Sequence, residues 1–339
     1  MIFFMFSTPK RLYYDGEVKR LLFLGVDVGG TKTQAVLSDE QGNVLAVHRG
    51  KGANYQVVGK ESAVRNLKDV IEGILNKAGK TREEIDFAFF GYAGADFDYE
   101  MKIVREILEK LGLEKFDFDN DGRTALRSGV FDDIGIMVSC GTGSISYASD
   151  GRRVNRIGGL SFSLGERLGS HYIASLVTSA VMRAKDGRDD WTTLVEEVEK
   201  EIGPVENLLR YDYEGGYTAE LVKRVNQALF RCAEKGDAVS LRIFDEIVVE
   251  VKKIIDAHRK ALNFTPPIKL ILEGSFFKNA PSLLINMIES ATGKEYEIVI
   301  PKHDPVIGAV LFAMERSGLR VTEDLYNRLV RNYLREVKK

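Results

Sequence analysis

The sequence predicts an α/β protein of two lobes, in which a βββαβαβα unit occurs twice and extra helices are inserted into the second copy. Apolar segments of strand length alternate with segments of helical periodicity, and each half opens with a strand that ends in a glycine-rich turn. The chain has 339 residues, which is about twice the length of a typical domain. In such pairs of lobes the ligand cleft usually lies between them, and closure by a hinge is expected.

The first half of the chain carries the first copy of this unit. The apolar run of residues 20–28 ends in Gly29-Gly30, and a turn over residues 39–43 separates the next two strand-like segments. Apolar residues then recur at helical spacing. We predict strands at 20–28, 31–38, 43–49, 86–92 and 115–119, and helices near 64–75, 103–111 and from about 123.

The same order then begins again. An apolar strand ends at the turn 141–144, and two further strands are joined by a turn at Asp150-Gly151. We predict strands at 134–140, 144–149, 152–157, 268–274 and 295–300, and helices near 165–184, 190–202, 217–234, 238–262, 280–291, 305–317 and 322–336. The predicted parts are an N-terminal extension (1–20), an N-terminal lobe (21–130), a C-terminal lobe (131–320) and a C-terminal helix (321–339) that packs back on the first lobe.

Composition and charge limit the class of protein. There are 48 Lys plus Arg and 50 Asp plus Glu, a net charge of −2, so generic binding to nucleic acid or an anionic membrane loses its main electrostatic basis. No segment approaches the roughly 20 apolar residues that span a bilayer. The apolar start Met1–Phe6 precedes its basic residues, which is the reverse of a signal peptide. The two cysteines, Cys140 and Cys232, are far apart, which disfavours a disulfide framework and fits a reducing cytoplasm.

The strongest motif is a strand that ends in an acid and continues into two glycines and three polar residues: Asp27, Gly29, Gly30, Thr31, Lys32 and Thr33. The glycines let the backbone turn sharply and point N–H groups into a concavity that suits phosphate oxygens. The hydroxyls and the cation would add donors and positive charge, and Asp27 would hold Mg²⁺ directly or through water. The alternative is a glycine hairpin with an incidental acid.

A second glycine and hydroxyl turn occupies the matching position of the second half: Gly141, Thr142, Gly143 and Ser144. Facing the first turn, it would grip the other side of a triphosphate. Turns of this composition are common, so the alternative is an ordinary hairpin, but the matching positions of the two turns favour phosphate binding. Cys140 is expected to be a small buried apolar residue rather than a ligand.

Together these motifs resemble the superfamily of acetate and sugar kinases, heat-shock chaperones and actin. More narrowly, the chain resembles the BadF/BadG/BcrA/BcrD ATPase family, which includes N-acetylglucosamine kinases and an archaeal hexokinase of broad specificity. Short stretches between about residues 22 and 318 carry the resemblance through their order and spacing: Gly25–Thr33, Gly52–Val58, Ala93–Asp96, Asn120–Leu126, Gly141–Ser144, Arg156–Gly159, Glu273–Asn279 and Lys302–Val310. The resemblance implies the two-lobed actin-like ATPase fold, also described as ribonuclease H-like.

The resemblance implies ATP, Mg²⁺ and a small-molecule sugar as ligands, with a carboxylate that orients the attacking hydroxyl and accepts its proton. It gives that role to Asp121, and it makes Asn54 and Asp96 the residues that bind sugar hydroxyls. From the residues alone, Asp121 is more often a helix N-cap, and Asn54 and Asp96 are as readily loop Asx turns.

Further site residues follow from the resemblance. Gly274 and Ser275 resemble the adenosine-binding turn, with Gly308 on the helix beside it; the alternative is an ordinary turn between a strand and a helix. Gly158 and Gly159 would let a turn approach the sugar closely. The stretch Leu160–Ser170 departs from the family pattern, because Glu166-Arg167 stands where two acids are usual. Glu166 is still predicted as a substrate contact, and Arg167 would either stabilise phosphate charge or pair with Glu166.

Three hypotheses about function follow. The leading one is a cytoplasmic ATP-dependent kinase of a hexose, amino sugar or N-acetylamino sugar, with no nucleic-acid or membrane partner and with a homodimer left open. The second is an ATP-hydrolysing activator that delivers electrons to a dehydratase or reductase through a shared iron–sulfur cluster, which needs cysteine thiolates. The third is a non-catalytic sugar sensor on the same fold, which the altered stretch Leu160–Ser170 keeps open.

Overall fold

The computed structural model describes residues 13–14, 17–18, 20–160, 162–213 and 218–338. The chain divides into two compact units. Unit 1 comprises residues 1–133 and 303–339, and unit 2 comprises residues 134–302. Of the helices in the described ranges, none is both long and apolar enough to cross a membrane.

Twelve strands lie in the described residues: β1 (Tyr13–Tyr14), β2 (Glu17–Val18), β3 (Leu22–Val28), β4 (Lys32–Asp39), β5 (Val44–Lys51), β6 (Phe87–Tyr92), β7 (Phe116–Asp119), β8 (Ile134–Cys140), β9 (Ser144–Asp150), β10 (Val154–Gly158), β11 (Ile268–Glu273) and β12 (Tyr296–Val299). β1 and β2 form a small hairpin. Unit 1 has the sheet β5-β4-β3-β6-β7, and unit 2 has the sheet β10-β9-β8-β11-β12. In both, three consecutive antiparallel strands are followed by two parallel ones, which confirms the predicted duplicated α/β architecture.

The helices of the described residues are α1 (Tyr55–Val58), α2 (Lys60–Ala78), α3 (Asp98–Glu109), α4 (Asp121–Gly129), α5 (Ser170–Lys185), α6 (Leu194–Ile202), α7 (Asn207–Tyr213), α8 (Ala219–Glu234), α9 (Ala238–Ala261), α10 (Ser275–Lys278), α11 (Ser282–Thr292), α12 (Val306–Arg316) and α13 (Glu323–Glu336). Short 3₁₀ turns lie at Arg82–Glu84 and Phe162–Leu164. Helices α5 to α9 lie between β10 and β11, where only α1 and α2 lie between β5 and β6 in unit 1. This is the predicted helical insertion.

The sheet of unit 1 is covered on both faces, and the alternation of β3 explains why. Leu24 and Val26 are buried in the cluster that includes the apolar side of α2, whereas Phe23 belongs to the cluster formed by α12 and α13. On that second face, a Cβ on Gly25 would lie 2.5 Å from the backbone nitrogen of Val310. The glycine therefore lets α12 lie directly on the central strand.

Residues 303–320 belong to unit 1, whereas the sequence pattern placed them in the C-terminal lobe. Helix α12 packs on β3, β4 and β6 and on α4, and α13 packs on β5. The pattern missed this assignment because amphipathic spacing shows which face of a helix is buried but not which sheet buries it.

The predicted helix over 165–184 begins later, at Ser170. Gly165 and Gly169 have φ values of 103° and 120°, a conformation that a right-handed helix cannot contain. The structure also has three short helices that the pattern did not predict, α1, α7 and α10. Segments of four to seven residues are too short to display a helical period.

Candidate active site

The turn between β3 and β4 is held by its own backbone and by a neighbouring loop. The amide of Gly29 donates to the carbonyl of Lys32 at 3.0 Å, and the amides of Ala53 and Asn54 donate to the carbonyl of Gly29 at 3.0 and 3.2 Å. A Cβ on Gly52 would overlap the carbonyl of Gly30, so only glycine lets this loop approach the turn. The first glycine turn and the loop that leads to Asn54 are therefore one piece of structure.

The polar side chains of this turn are not equivalent. Thr31 and Lys32 are exposed, and Asp27 is partly buried at the end of β3. Thr33 is fully buried, and its hydroxyl has no hydrogen-bond partner among the described residues. The role of Thr33 as a further phosphate donor stays a prediction.

Asp96 and Asn54 follow the ends of different strands in unit 1. Asn54 is the N-cap of α1, and its Oδ1 atom accepts from the amide of Gln56 at 2.9 Å. The side-chain oxygen of Asn54 therefore forms the Asx turn that the residues alone allowed. Asp96 instead accepts at Oδ1 from the side-chain amide of Asn120 at 2.8 Å, which fixes the carboxylate in place.

Asp121 is the first residue of α4, and the N-cap of that helix is Asn120. The Oδ1 atom of Asn120 accepts from the amide of Gly122 at 2.8 Å, while its amide nitrogen donates to Asp96. The structural alternative for Asp121, a helix N-cap, is therefore wrong. The sequence pattern does not single out Asn120: the preference of Asn for the N-cap position is the signal that marks it, but the adjacent Asp121 satisfies that preference about equally well.

Asp119 ends β7 immediately before this cap. Its Oδ1 atom accepts from the amide of Asn120 at 2.7 Å, and burial raises the pKa of the Asp119 carboxyl. The backbone hydrogen bond from Asn120 and the charge of Arg123 oppose this rise. Asp119 and Asp121 are both partly exposed, Asp119 at the end of β7 and Asp121 in the first turn of α4.

In unit 2, the turn between β8 and β9 presents bare backbone. The amide of Gly141 donates to the carbonyl of Gly143 at 3.0 Å, and the amide of Ser170 at the start of α5 donates to the carbonyl of Gly141 at 2.8 Å. A Cβ on Gly141 would meet no atom within 4 Å, and one on Gly143 would meet only Glu166 at 3.9 Å. The glycines leave open space beside the backbone, which is the arrangement that a phosphate cradle needs.

Glu166 joins this turn to the double glycine at the end of β10. Its carboxylate accepts from the amide of Leu160 and from the amide of Ser144 at 3.4 Å. Gly158 and Gly159 both have positive φ, 75° and 77°, so this turn needs two glycines. Arg167 lies over the ring of Tyr172 and donates to its hydroxyl at 3.4 Å.

The predicted adenosine turn and the second glycine turn line the same pocket. This pocket of unit 2 has a volume of about 360 Å³, and its walls include Thr142, Ser275, Asn226 and Phe276. Gly274, at φ 95°, approaches the carbonyl of Cys140 so closely that a Cβ would overlap it. The two motifs, separated by more than a hundred residues in sequence, therefore meet through one glycine contact.

Gly308 does not belong to that pocket. It lies in α12 of unit 1, where a Cβ would overlap the carbonyl oxygen of Thr124 in α4. The close packing at Gly308 is thus a contact between two helices of unit 1, and its place beside the adenosine turn stays a prediction. This contact supports the helix that begins with Asp121.

Asp27 is the residue considered for Mg²⁺. It lies beside the first glycine turn, opposite Gln34 in the register of β3 and β4. Mg²⁺ in proteins commonly takes one or two carboxylates together with waters and substrate phosphates, and a single carboxylate at a glycine turn fits that donor set. Within the described ranges, no group of three His, Cys, Asp or Glu side chains could hold a metal by itself.

Both cysteines are fully buried in unit 2, Cys140 in β8 and Cys232 in α8. Burial raises the pKa of each thiol, which disfavours the thiolate that a cluster ligand requires.

Three comparisons identify the relatives of this chain. An N-acetylmuramic acid/N-acetylglucosamine kinase from Clostridium acetobutylicum is 29% identical over 300 residues, covering 86% of this chain and 97% of that protein. An N-acetyl-D-glucosamine kinase from Dictyostelium discoideum is 26% identical over 312 residues, covering 86% and 98%. The crystal structure of a candidate N-acetylglucosamine kinase from Chromobacterium violaceum shares the fold, with a TM-score of 0.69 at 19% identity, covering 86% of this chain and 99% of that one.

The sequence profile of one family matches residues 24–313, a range that contains both glycine turns, the helix that begins with Asp121 and the adenosine-type turn. The match spans most of the chain and agrees with the duplicated sheets of the two units. The chain belongs to the BadF/BadG/BcrA/BcrD ATPase family.

Proposed function

We propose that the protein is an ATP-dependent sugar kinase that transfers the γ-phosphoryl group of MgATP to a hydroxyl of a hexose, amino sugar or N-acetylamino sugar. The names of the Clostridium and Dictyostelium relatives support this proposal. The observation that carries it is the side chain of Asn120, which holds Asp96 through one end and the start of α4 through the other. One residue thereby fixes a carboxylate suited to sugar hydroxyls and the neighbouring carboxylate suited to a general base.

In this proposal, Asp96 and Asn54 orient the sugar, and Asp121 accepts the proton of the attacking hydroxyl as its oxygen bonds to the γ-phosphorus. ADP leaves with the electrons of the broken phosphorus–oxygen bond. The open turn at Gly141 and Gly143 binds phosphate oxygens through backbone amides, and the adjoining pocket of unit 2 takes the nucleoside. Bound Mg²⁺, held in part by Asp27, would neutralise charge on the phosphates.

The test is a coupled assay of ADP release with MgATP and a panel of hexoses, amino sugars and N-acetylamino sugars. Sugar-dependent ADP release, with phosphorus NMR showing a sugar phosphate ester, is the expected result. ADP release that no sugar accelerates, or no release at all, would contradict the proposal. A cytoplasmic location is part of the proposal, and a sedimentation experiment on the purified chain decides between a monomer and a homodimer.

A further inference from the structure

Glu100 is a buried carboxylate near the start of α3, with 4% of its surface exposed. Its Oε2 atom accepts from the backbone amides of Asp96 at 2.9 Å and Phe97 at 3.0 Å. Its Oε1 atom accepts from Nε2 of Gln56 at 2.8 Å and from the hydroxyl of Tyr99 at 3.0 Å. A buried carboxylate is costly unless such donors surround it, so these contacts decide the local conformation.

The donors come from two separate segments of the chain. Gln56 lies two residues after Asn54, in the helix that Asn54 caps, and the other segment contains Asp96 itself. A Cβ on Gly94 would lie 2.5 Å from Oε1 of Gln56, and Gly94 has a φ of 83°. The glycine therefore makes room for Gln56 between its own loop and Glu100.

We propose that Glu100 is a positioning residue for the sugar, because it sets the separation between the segments that carry Asn54 and Asp96. The inference rests on the proposed function, in which those two residues bind the sugar. Glu100 is buried behind them and acts only through their loops.

Glu100 makes more hydrogen bonds than the start of a helix requires. A glutamate at the third position of a helix commonly accepts from the backbone amide of the N-cap residue, and the bond to Phe97 is that contact. Glu84 makes the same kind of bond to the amide of Thr81 at 2.8 Å, at the turn Arg82–Glu84. The bond between Glu100 and Gln56 crosses 44 residues of sequence and contributes nothing to the cap. Glu84 is therefore the matched control.

The experiment compares full-length Gln56→Ala, Glu100→Gln and Glu84→Gln with the parent. In Glu100→Gln, the carbonyl oxygen can keep the backbone amides, and Gln56 can bond the new neutral amide only by turning its Oε1 atom toward position 100. Each of the first two variants thus loses a hydrogen bond to a charged group, and we expect the KM for the sugar to rise about tenfold. The KM for ATP should stay within about twofold, and Glu84→Gln should change neither.

A charge swap separates positioning from general damage to the fold. In Gln56→Glu with Glu100→Gln, the amide nitrogen at position 100 can donate to a carboxylate at position 56. We expect the swap to restore the sugar KM to within about threefold of the parent. An unchanged sugar KM in Gln56→Ala, or a swap no better than Glu100→Gln, would overturn the proposal.

Hydrogen exchange gives a readout that does not need activity. We expect faster amide exchange over residues 52–58 in Gln56→Ala and Glu100→Gln, and parental exchange in the swap. If the parent phosphorylates no sugar, the proposed kinase function fails, and the exchange rates alone decide whether Glu100 joins the two segments. Unchanged exchange over residues 52–58 in both single variants would overturn that role whatever the activity.

Discussion

The side-chain amide of Asn120 donates a 2.8 Å hydrogen bond to Asp96, and its carbonyl oxygen caps the helix that begins with Asp121. The two strands that precede these residues, β6 and β7, are parallel neighbours, so their carboxyl ends lie at the same edge of the sheet. The relationship makes the geometry of Asp96 depend on how α4 begins. Under the proposed function, a substitution at Asn120 would therefore alter sugar binding while Asp121 itself is unchanged.

Asn120→Asp tests this dependence. The new carboxylate would still cap α4, because Asp and Asn are comparable N-caps, but it would place an acceptor against Asp96 in place of a donor. We expect the KM for the sugar to rise at least tenfold and the KM for ATP to change less than about twofold. Steady-state kinetics with each substrate varied separately measure both values. A parental sugar KM would show that the hydrogen bond to Asp96 does not matter for binding.

Asp121→Asn tests the general base. Because Asn120 caps α4, this change leaves the cap in place, and the melting temperature should stay close to that of the parent. The new amide cannot accept the hydroxyl proton, so kcat should fall by roughly 10²–10⁴-fold. Sugar and nucleotide affinity should change much less, since ground-state contacts survive. A kcat near that of the parent would remove Asp121 from the chemistry.

Gly143→Val tests the phosphate turn of unit 2. A side chain at this position meets open space, and Gly143 is not among the residues with positive φ, so the melting temperature without nucleotide should change little. MgATP should raise the melting temperature of the parent, because a ligand that binds only the folded state stabilises it. The variant should lose that rise because its side chain occupies the space beside the backbone amides. A rise equal to that of the parent would contradict phosphate binding at this turn.

Gly308→Ala tests the contact between α12 and α4 at Gly308. In an exposed helix, this change stabilises by about 1 kcal/mol. Here the added methyl group would overlap the carbonyl of Thr124, and we expect a net loss of about 3 kcal/mol. Gly141→Ala is the control for stability, because its Cβ would meet no atom within 4 Å. Urea denaturation of both variants and the parent measures the difference, and a Gly308→Ala variant as stable as the control would contradict the helix contact.

The buried His258 predicts how stability depends on pH. Burial lowers the pKa of His258 to about 4, below its ordinary value of 6.5. Ser146 donates to the carbonyl of Met137 at 2.6 Å, so it accepts from Nε2 of His258, and the amide of Asn155 donates to Nδ1 at 3.0 Å. The neutral ring is therefore fully bonded, and protonation would set Nδ1–H against a donor.

Because the unfolded chain binds the proton more tightly, the contribution of His258 is complete above pH 6.5 and is lost as the pH falls toward 4. Between pH 7 and pH 5, this amounts to about 2 kcal/mol. His258→Gln, which stays neutral, should lose less stability over the same interval. Urea midpoints at both pH values for the two proteins provide the measurement, and equal losses would contradict the prediction.

The fold was readable where the sequence signal is local. The strand that ends at Val28 and its two glycines define the first hairpin, and the strand that ends at Cys140 repeats that pattern. The start of α5 was misplaced because apolar spacing continues through Gly165 and Gly169, and that spacing does not show that both glycines have a positive φ. The contact of Gly308 with α4 could not be predicted for a similar reason, since the carbonyl that it approaches lies far away in sequence.

In the candidate site, too, local sequence signals could be interpreted, whereas contacts between distant residues could not. The glycine turns and the acids that follow strands could be named from local chemistry. Asn120 could not, because adjacent Asn and Asp residues cap a helix about equally well and the sequence does not show which of them is the N-cap. The contacts that decided the question join residues tens of positions apart, such as Asn120 with Asp96 and Gln56 with Glu100. No local pattern contains that information.

The assignment of α12 to unit 1 has a consequence for biosynthesis. On a ribosome, the five strands of the first sheet emerge early, but the helix that covers the face of Phe23 and Gly25 is made only after all of unit 2. One apolar face of the nascent first sheet therefore stays uncovered while residues 134–302 are translated. Those residues form a continuous segment and can fold during this time. Truncation within the last helices would leave that face permanently bare, so chaperone dependence and degradation of incomplete chains should track unit 1 rather than unit 2.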